Sequence, residues 1–191
     1  MFRPLLTAAL VAAFALPAFA ADYVVDANHT QATFTVSHLA ISRVSGKVPV
    51  TSGTVSLGST GIPTAIGMTL SAKDIDTQSA GRDRDLRGSD WFEVEKFPTI
   101  TFTAQSITGT PQALIIAGDL TMHGVTKPIS FTAKEIGKMT DQRGRTHIGY
   151  SAATTLDRRQ WGLNFGAATP GGSLVAGNDV TIDLNVEIVS K

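Results

Sequence analysis

A chain of 191 residues with 16 Lys+Arg against 16 Asp+Glu carries no net charge, and it has no cysteine. Balanced charge removes the global attraction that a nucleic-acid binder needs. The missing cysteines exclude a disulfide framework, a thiol nucleophile, a thiolate zinc site and an iron–sulfur cluster.

Arg3 is the one charge in residues 1–20. Residues 5–16 form an apolar run too short for a membrane-spanning helix of about 20 residues. Ala18-Phe19-Ala20 has the small-x-small pattern of a cleavage site. Together they predict a secretory signal peptide over residues 1–20. Residues 21–191 are then one domain, delivered to the periplasm or the medium. No Cys follows the cut, which excludes lipoprotein acylation.

Beyond residue 20, alternation of apolar and polar residues dominates, the mark of strands with one buried face. Phe34 and Val36 share a face, which His38 continues, and residues 43–50 are a further candidate. Val55 alternates into Leu57, and Ile66, Met68 and Leu70 follow. Ile100, Phe102 and Ala104 come next, then Leu120 and Met122 in a longer strand over residues 114–122. Ile129, Phe131 and Ala133, residues 147–156, and residues 180–188 complete about nine candidates.

Two stretches break the pattern. Residues 78–90 contain a short polar helix ending at Gly88, with Trp91 and Phe92 as anchors behind it. Residues 157–165 hold one helical turn around Trp161, and residues 167–178 read as a Gly-rich loop. Evenly spaced strands without helical crossovers predict an all-β fold, an antiparallel meander closed as a barrel or folded as a sandwich. Small residues along the strands (Gly67, Gly118, Gly149, Ala104, Ala133, Ala152 and Ala153) hint at an interior with room for a ligand.

Catalytic patterns are absent: there is no G-x-S-x-G, no H-E-x-x-H and no phosphate-binding G-x-x-x-x-G-K-[ST]. The four histidines (His29, His38, His123 and His147) show no i,i+2 or i,i+4 pairing, so no metal site is expected. His29 and His38, nine residues apart, would face opposite ways in one regular strand. Asp74 and Asp76 would share a strand face, while Asp83, Asp85 and Asp90 interleave with Arg82, Arg84 and Arg87. Interleaved charges read as a solvated ion-pair surface, or as an anion clamp made by the arginines.

Several blocks, in their order, carry a resemblance. They are Tyr23-Val24-Val25-Asp26 with His29, then Phe34-Thr35-Val36-Ser37-His38-Leu39, then Ile75-Asp76-Thr77. Arg82-Asp83, Leu86-Arg87, Asp90-Trp91-Phe92 and Glu95-Lys96-Phe97-Pro98-Thr99 follow. Gly118-Asp119-Leu120-Thr121-Met122-His123-Gly124 closes the series. Across residues 22–190 the chain resembles the YceI family of secreted bacterial proteins.

The resemblance implies an eight-stranded antiparallel lipocalin-like barrel with one or two short helices. It also implies binding of a long amphiphile, a polyisoprenoid or isoprenoid quinone, in an apolar tunnel, with no catalytic residues, cofactor or metal. The expected lining is Phe34, Val36, Val55, Met68, Phe102, Leu120, Phe131 and Trp161, with His38 or the pair Arg82 and Arg87 at a polar head. Asp85 and Gly88 depart from the His and Ser usual in the family at those positions. Nucleic-acid binding and stable membrane insertion are not expected, and a homodimer stays open. The alternatives are a β module for protein interaction, or a hydrolase acting on a lipid.

Overall fold

The structure is a computed structural model that describes residues 21–166, 172 and 174–191. The expected signal peptide, and residues 167–171 and 173 of the expected loop, lie outside the described residues.

Ten strands form one antiparallel sheet. In chain order they are β1 (Ala21–Val25), β2 (Gln31–His38), β3 (Ser42–Lys47), β4 (Val50–Leu57) and β5 (Pro63–Ser71). After α1 (Ala80–Arg87) come β6 (Thr99–Thr110), β7 (Ala113–Met122), β8 (Val125–Thr140), β9 (Thr146–Asp157) and β10 (Ala176–Ser190). The sheet runs β1-β4-β5-β6-β7-β8-β9-β10-β2-β3, and β1 pairs β10 to close it.

The ten strands occupy eight places around the ring. β1 and β2 both lie beside β10, and on their other flank β1 pairs β4 while β2 pairs β3. Each couple is therefore one bent strand cut in two. The first cut is a turn in which the Asp26 carboxylate accepts from Asn28 N–H at 2.9 Å, the turn chemistry expected of Asp. The second falls at Pro49, which has no N–H to give a ladder. The result is a closed eight-stranded antiparallel barrel with one helix, the expected fold.

Alternation decides which side chains enter. On β7 the buried residues are Leu114, Ile116, Gly118, Leu120 and Met122, every second position. On β10, Ile182, Leu184, Val186 and Ile188 face inward by the same rule. Gly109 sits at the tip joining β6 and β7 with φ +103°, where a Cβ would run into the carbonyl oxygen of Ala113. The tip therefore needs glycine.

Residues 72–98 close one end. The 3-10 turn Ala72–Asp74 leads into a two-bond bridge, Lys47 N to Asp76 O at 2.8 Å and Asp76 N to Lys47 O at 3.0 Å. The predicted helix is α1, stopped at Gly88. A second 3-10 turn, Arg158–Trp161, matches the predicted helical turn. The strand reading is corrected in places: the candidate over residues 43–50 breaks after Lys47, and Val50 opens β4. β1 was not expected as a strand, β8 runs to Thr140, and β10 begins at Ala176 inside the expected loop.

Candidate functional site

The barrel interior holds an inner cavity of about 150 Å³, walled by side chains from all eight barrel positions. An outer cavity of about 560 Å³ lies between the barrel and α1. Phe34, Val48, Ile100, Met122, Leu156 and Ile182 line both, so the two spaces meet across a shared wall. The outer volume falls within the roughly 300–1,000 Å³ of ordinary ligand pockets.

Val55, Met68, Phe102, Leu120 and Phe131 line the inner cavity, and Phe34 reaches both. Phe102 and Phe131 meet edge to face at 5.4 Å between centroids, a favoured arrangement of ring quadrupoles. Val36, His38 and Arg82 line the outer cavity. Asp85 and Gly88, the two departures from the family pattern, lie there as well.

Two expected site residues lie elsewhere. Trp161 is 1% exposed and lines neither cavity; its indole N–H donates to Leu120 O at 3.0 Å. An apolar tunnel offers no acceptor for that N–H, and a strand carbonyl does. Arg87 also lines neither cavity, and its Nη2 donates to Ile75 O at 2.6 Å. The expected pairing of Arg82 with Arg87 at the mouth is therefore not formed.

Arg82 donates to Thr77 Oγ1 at 2.7 Å and to Thr77 O at 2.8 Å. Asp83 is buried and accepts from Thr77 N–H at 2.8 Å and Thr77 Oγ1 at 2.6 Å. Those hydrogen bonds hold its carboxyl below the usual range. Arg82, Asp83 and Arg87 thus bind α1 to residues 75–77, while Arg84, Asp85 and Asp90 are exposed, in line with the solvated surface expected. Asp74 and Asp76 do not share a strand face: Asp74 accepts from Ser71 Oγ at 2.6 Å and Asp76 from Gln78 N–H at 2.7 Å.

Arg158 is the largest omission of the sequence reading. It is 4% exposed, lines the outer cavity, and donates to the carbonyls of Leu163, Ala176 and Gly177. Its guanidinium carbon lies 5.2 Å from the Trp91 ring centre, within cation–π range. In sequence it is half of an Arg158-Arg159 doublet within the predicted helical turn. The small residues divide. Ala133 and Ala152 line the inner cavity. Ala104 packs half-buried against the core, opposite Gly118. Gly67, Gly149 and Ala153 are outward by register, and a Cβ on Gly118 would lie 2.7 Å from the Phe102 ring.

Away from the outer cavity, two of the four histidines, His29 and His147, form a charged group. His29 lies in the turn between β1 and β2, outside any regular strand, with Nδ1 at 2.9 Å from Asp26 Oδ2. His147 bridges Glu187 at 2.7 Å and Asp141 at 3.2 Å. Ligand atoms of Asp26, His29 and Glu187 lie within 4.8 Å of one another, the separation of groups that could hold a metal ion. Each histidine already has a carboxylate that balances its protonated ring.

Asp26 raises the His29 pKa above 6.5, and Glu187, then Asp141, raise that of His147. Their stabilising contribution is complete below about pH 6.5 and is lost as pH rises through the raised values. On the acid side, the Arg145 backbone N–H holds Asp141 well below the carboxylate range. Arg159 holds Asp157 at about 2. Both contributions are present above about pH 4 and are lost as pH falls. The thermal midpoint should be highest between those limits, and His147→Gln should flatten its decline above pH 6.5. An unchanged slope in calorimetric scans against pH would remove His147 as the cause.

A YceI-like domain matches residues 23–188. A UPF0312 protein of Shewanella baltica is 34% identical over 196 aligned residues, covering 100% of this chain and 98% of the relative. Among solved structures, the Campylobacter jejuni YceI protein superposes with a TM-score of 0.67 at 23% identity, over 81% of this chain and 90% of its own. A polyisoprenoid binding domain from Saccharophagus degradans gives 0.62 at 14% identity, over 88% and 98%. The structural likenesses are likenesses of fold. The domain match, with the 34% relative over its full length, shows that the chain belongs to the YceI family.

Proposed function

We propose that this protein binds a long-chain amphiphile, a polyisoprenoid or isoprenoid quinone, inside the barrel. It acts in the periplasm as a carrier, store or scavenger, without catalysis. The observation that carries the reading is the inner cavity, whose wall is almost wholly aliphatic and aromatic and which adjoins the roomier outer cavity beside α1. The polyisoprenoid binding described for the Saccharophagus degradans domain, which has the same fold, supports it.

The energetics suit such a cargo. Each buried CH₂ is worth about 0.8 kcal/mol, so a long hydrocarbon can offset the ordering of a flexible chain. The polar residues available to a head group, His38, Arg82, Arg84 and Asp85, all lie at the outer cavity. No helix among the described residues is long and apolar enough to cross a membrane. Export rests on the leader-like residues 1–20 and is checked by the mass of the secreted chain.

Native mass spectrometry of protein prepared without detergent, followed by organic extraction, tests the reading. A discrete added mass released as an isoprenoid lipid is the expected result. A bare mass that stays bare with added polyprenol and quinone would leave the interaction-module alternative standing. The same spectrum distinguishes monomer from dimer.

A further inference from the structure

At the end of the barrel opposite the outer cavity, the turn between β1 and β2 is fastened to β10 around a single residue. Asp26 N–H donates to Glu187 O at 2.8 Å, and Glu187 N–H donates to Thr30 Oγ1 at 3.1 Å. These bonds grip the turn at both its ends. They hold Asp26, His29 and Glu187 as a group whose ligand atoms lie within 4.8 Å of one another. His38 and Leu156 line the outer cavity from the far ends of β2 and β9. β9 is 12 residues long, so roughly 35 Å of strand separates the group from that cavity.

Charge, spacing and donor type point to a cation. Among the described residues, Asp26 and Glu187 form ion pairs only with histidines, Asp26 with His29 and Glu187 with His147. Asp141 and Asp157, by contrast, each have an arginine, at 2.8 and 2.6 Å. An imidazole nitrogen is itself a ligand for a transition metal.

Tetrahedral zinc takes nitrogen and oxygen ligands at about 2.0–2.2 Å, which sets the ligand atoms roughly 3.3–3.5 Å apart. His29 Nδ1 and Asp26 Oδ2 stand 2.9 Å apart, so an ion between them needs only a slight widening. Asp26 Oδ1 accepts from Asn28 N–H at 2.9 Å, which keeps Oδ2 turned to His29. Glu187 Oε1 accepts from His147 Nδ1 at 2.7 Å, and the other ring nitrogen of His147 lies 3.2 Å from Asp141 Oδ2. That leaves Glu187 its second oxygen for a cation. Calcium and magnesium prefer oxygen ligands alone, whereas an imidazole in the set favours a first-row transition metal.

We propose that Asp26, His29 and Glu187 bind one divalent transition-metal cation of the zinc type, with water in the remaining position. His147 is the positioning residue that orients Glu187, as hydrogen bonds commonly orient ligating carboxylates. The ion ties the turn between β1 and β2 to β10, beside the pairing of β1 with β10 that closes the barrel. The site is separate from the cargo cavities and does not depend on the carrier reading.

The test uses the untagged chain, stripped with a chelator and titrated with zinc chloride. Native mass spectrometry should show one zinc per chain, and zinc at 100 times its Kd should raise the melting temperature about 5–10 °C. In the imidazole NMR spectrum, zinc should move the His29 signals and leave those of His38 and His123 in place.

The His29 side chain is 66% exposed, so its removal should leave the barrel folded. His29→Ala should weaken zinc binding at least about 100-fold, more than the loss of an orienting partner costs. His147→Ala should weaken it roughly 10- to 100-fold, and His147→Gln, whose amide still donates to Glu187, should restore most of that loss. Absence of zinc uptake overturns the proposal, as does unchanged affinity in His29→Ala. Calcium bound as tightly as zinc would overturn the assignment to a transition metal.

Discussion

Replacing Trp161 by Ala should lower the unfolding free energy by about 3–5 kcal/mol, the range for truncating a buried large aromatic. The indole is 1% exposed and belongs to the main core. Two losses coincide. The cavity left by nine ring atoms cannot collapse, because Trp161 sits in a rigid turn whose end is fixed by Gly162 at φ +76°. The indole N–H to Leu120 O hydrogen bond, 3.0 Å long, also disappears.

A domain of this size has roughly 5–15 kcal/mol in total, so the variant would be marginal at body temperature. Its melting point should fall on the order of 10 °C. Trp161→Phe, which keeps most of the volume and loses the N–H, should cost less than half as much. Urea unfolding of both variants decides the matter. Equal losses would mean that the hydrogen bond, not the packing, carries the effect.

Ala152→Phe should abolish cargo binding while leaving the barrel folded. Ala152 faces the inner cavity from β9, opposite Ala133 of β8 and Leu184 of β10. A phenyl ring there occupies much of the 150 Å³ that a lipid tail would fill. Excluding four to six carbons from apolar surroundings costs about 3–5 kcal/mol of binding, or roughly 150- to 4,000-fold in Kd. Folding should suffer far less, since the ring enters existing space. The ordinary cost of overpacking, about 1–3 kcal/mol, is an upper bound. Detergent-free native spectra of the variant should show the bare chain. Full occupancy would place the cargo outside the inner cavity and refute the barrel-tunnel reading.

The inward faces were legible because a strand has a period of two and one apolar side. Phe34, Val55, Met68, Phe102, Leu120 and Phe131 were all assignable to an interior from their neighbours alone. The helix was legible from its charge pattern and its stop at Gly88. The failures share a different cause. Arg82, Arg87 and Arg158 spend their guanidinium groups on backbone carbonyls, and a carbonyl's position in space is a tertiary fact that no local pattern encodes.

Trp161 was misplaced for the same reason, because its acceptor lies 41 residues away in sequence. Gly67, Gly149 and Ala153 failed as signs of internal room because small size says nothing about which face of a strand a residue takes.

The way the ring closes bears on how the molecule avoids its own kind. A closed barrel offers no row of free amides and carbonyls on which another chain could template a strand. β3 is an exception: it pairs β2 on one side, and on the other, among the described residues, only Lys47 is bridged, to Asp76. That margin is six residues long and carries Arg43 and Lys47, both exposed. Short length and positive charge are the devices by which natural sheets discourage edge-to-edge polymerisation. The barrel thus keeps this seam brief and cationic, so that its apolar interior never becomes a reason for this margin to aggregate.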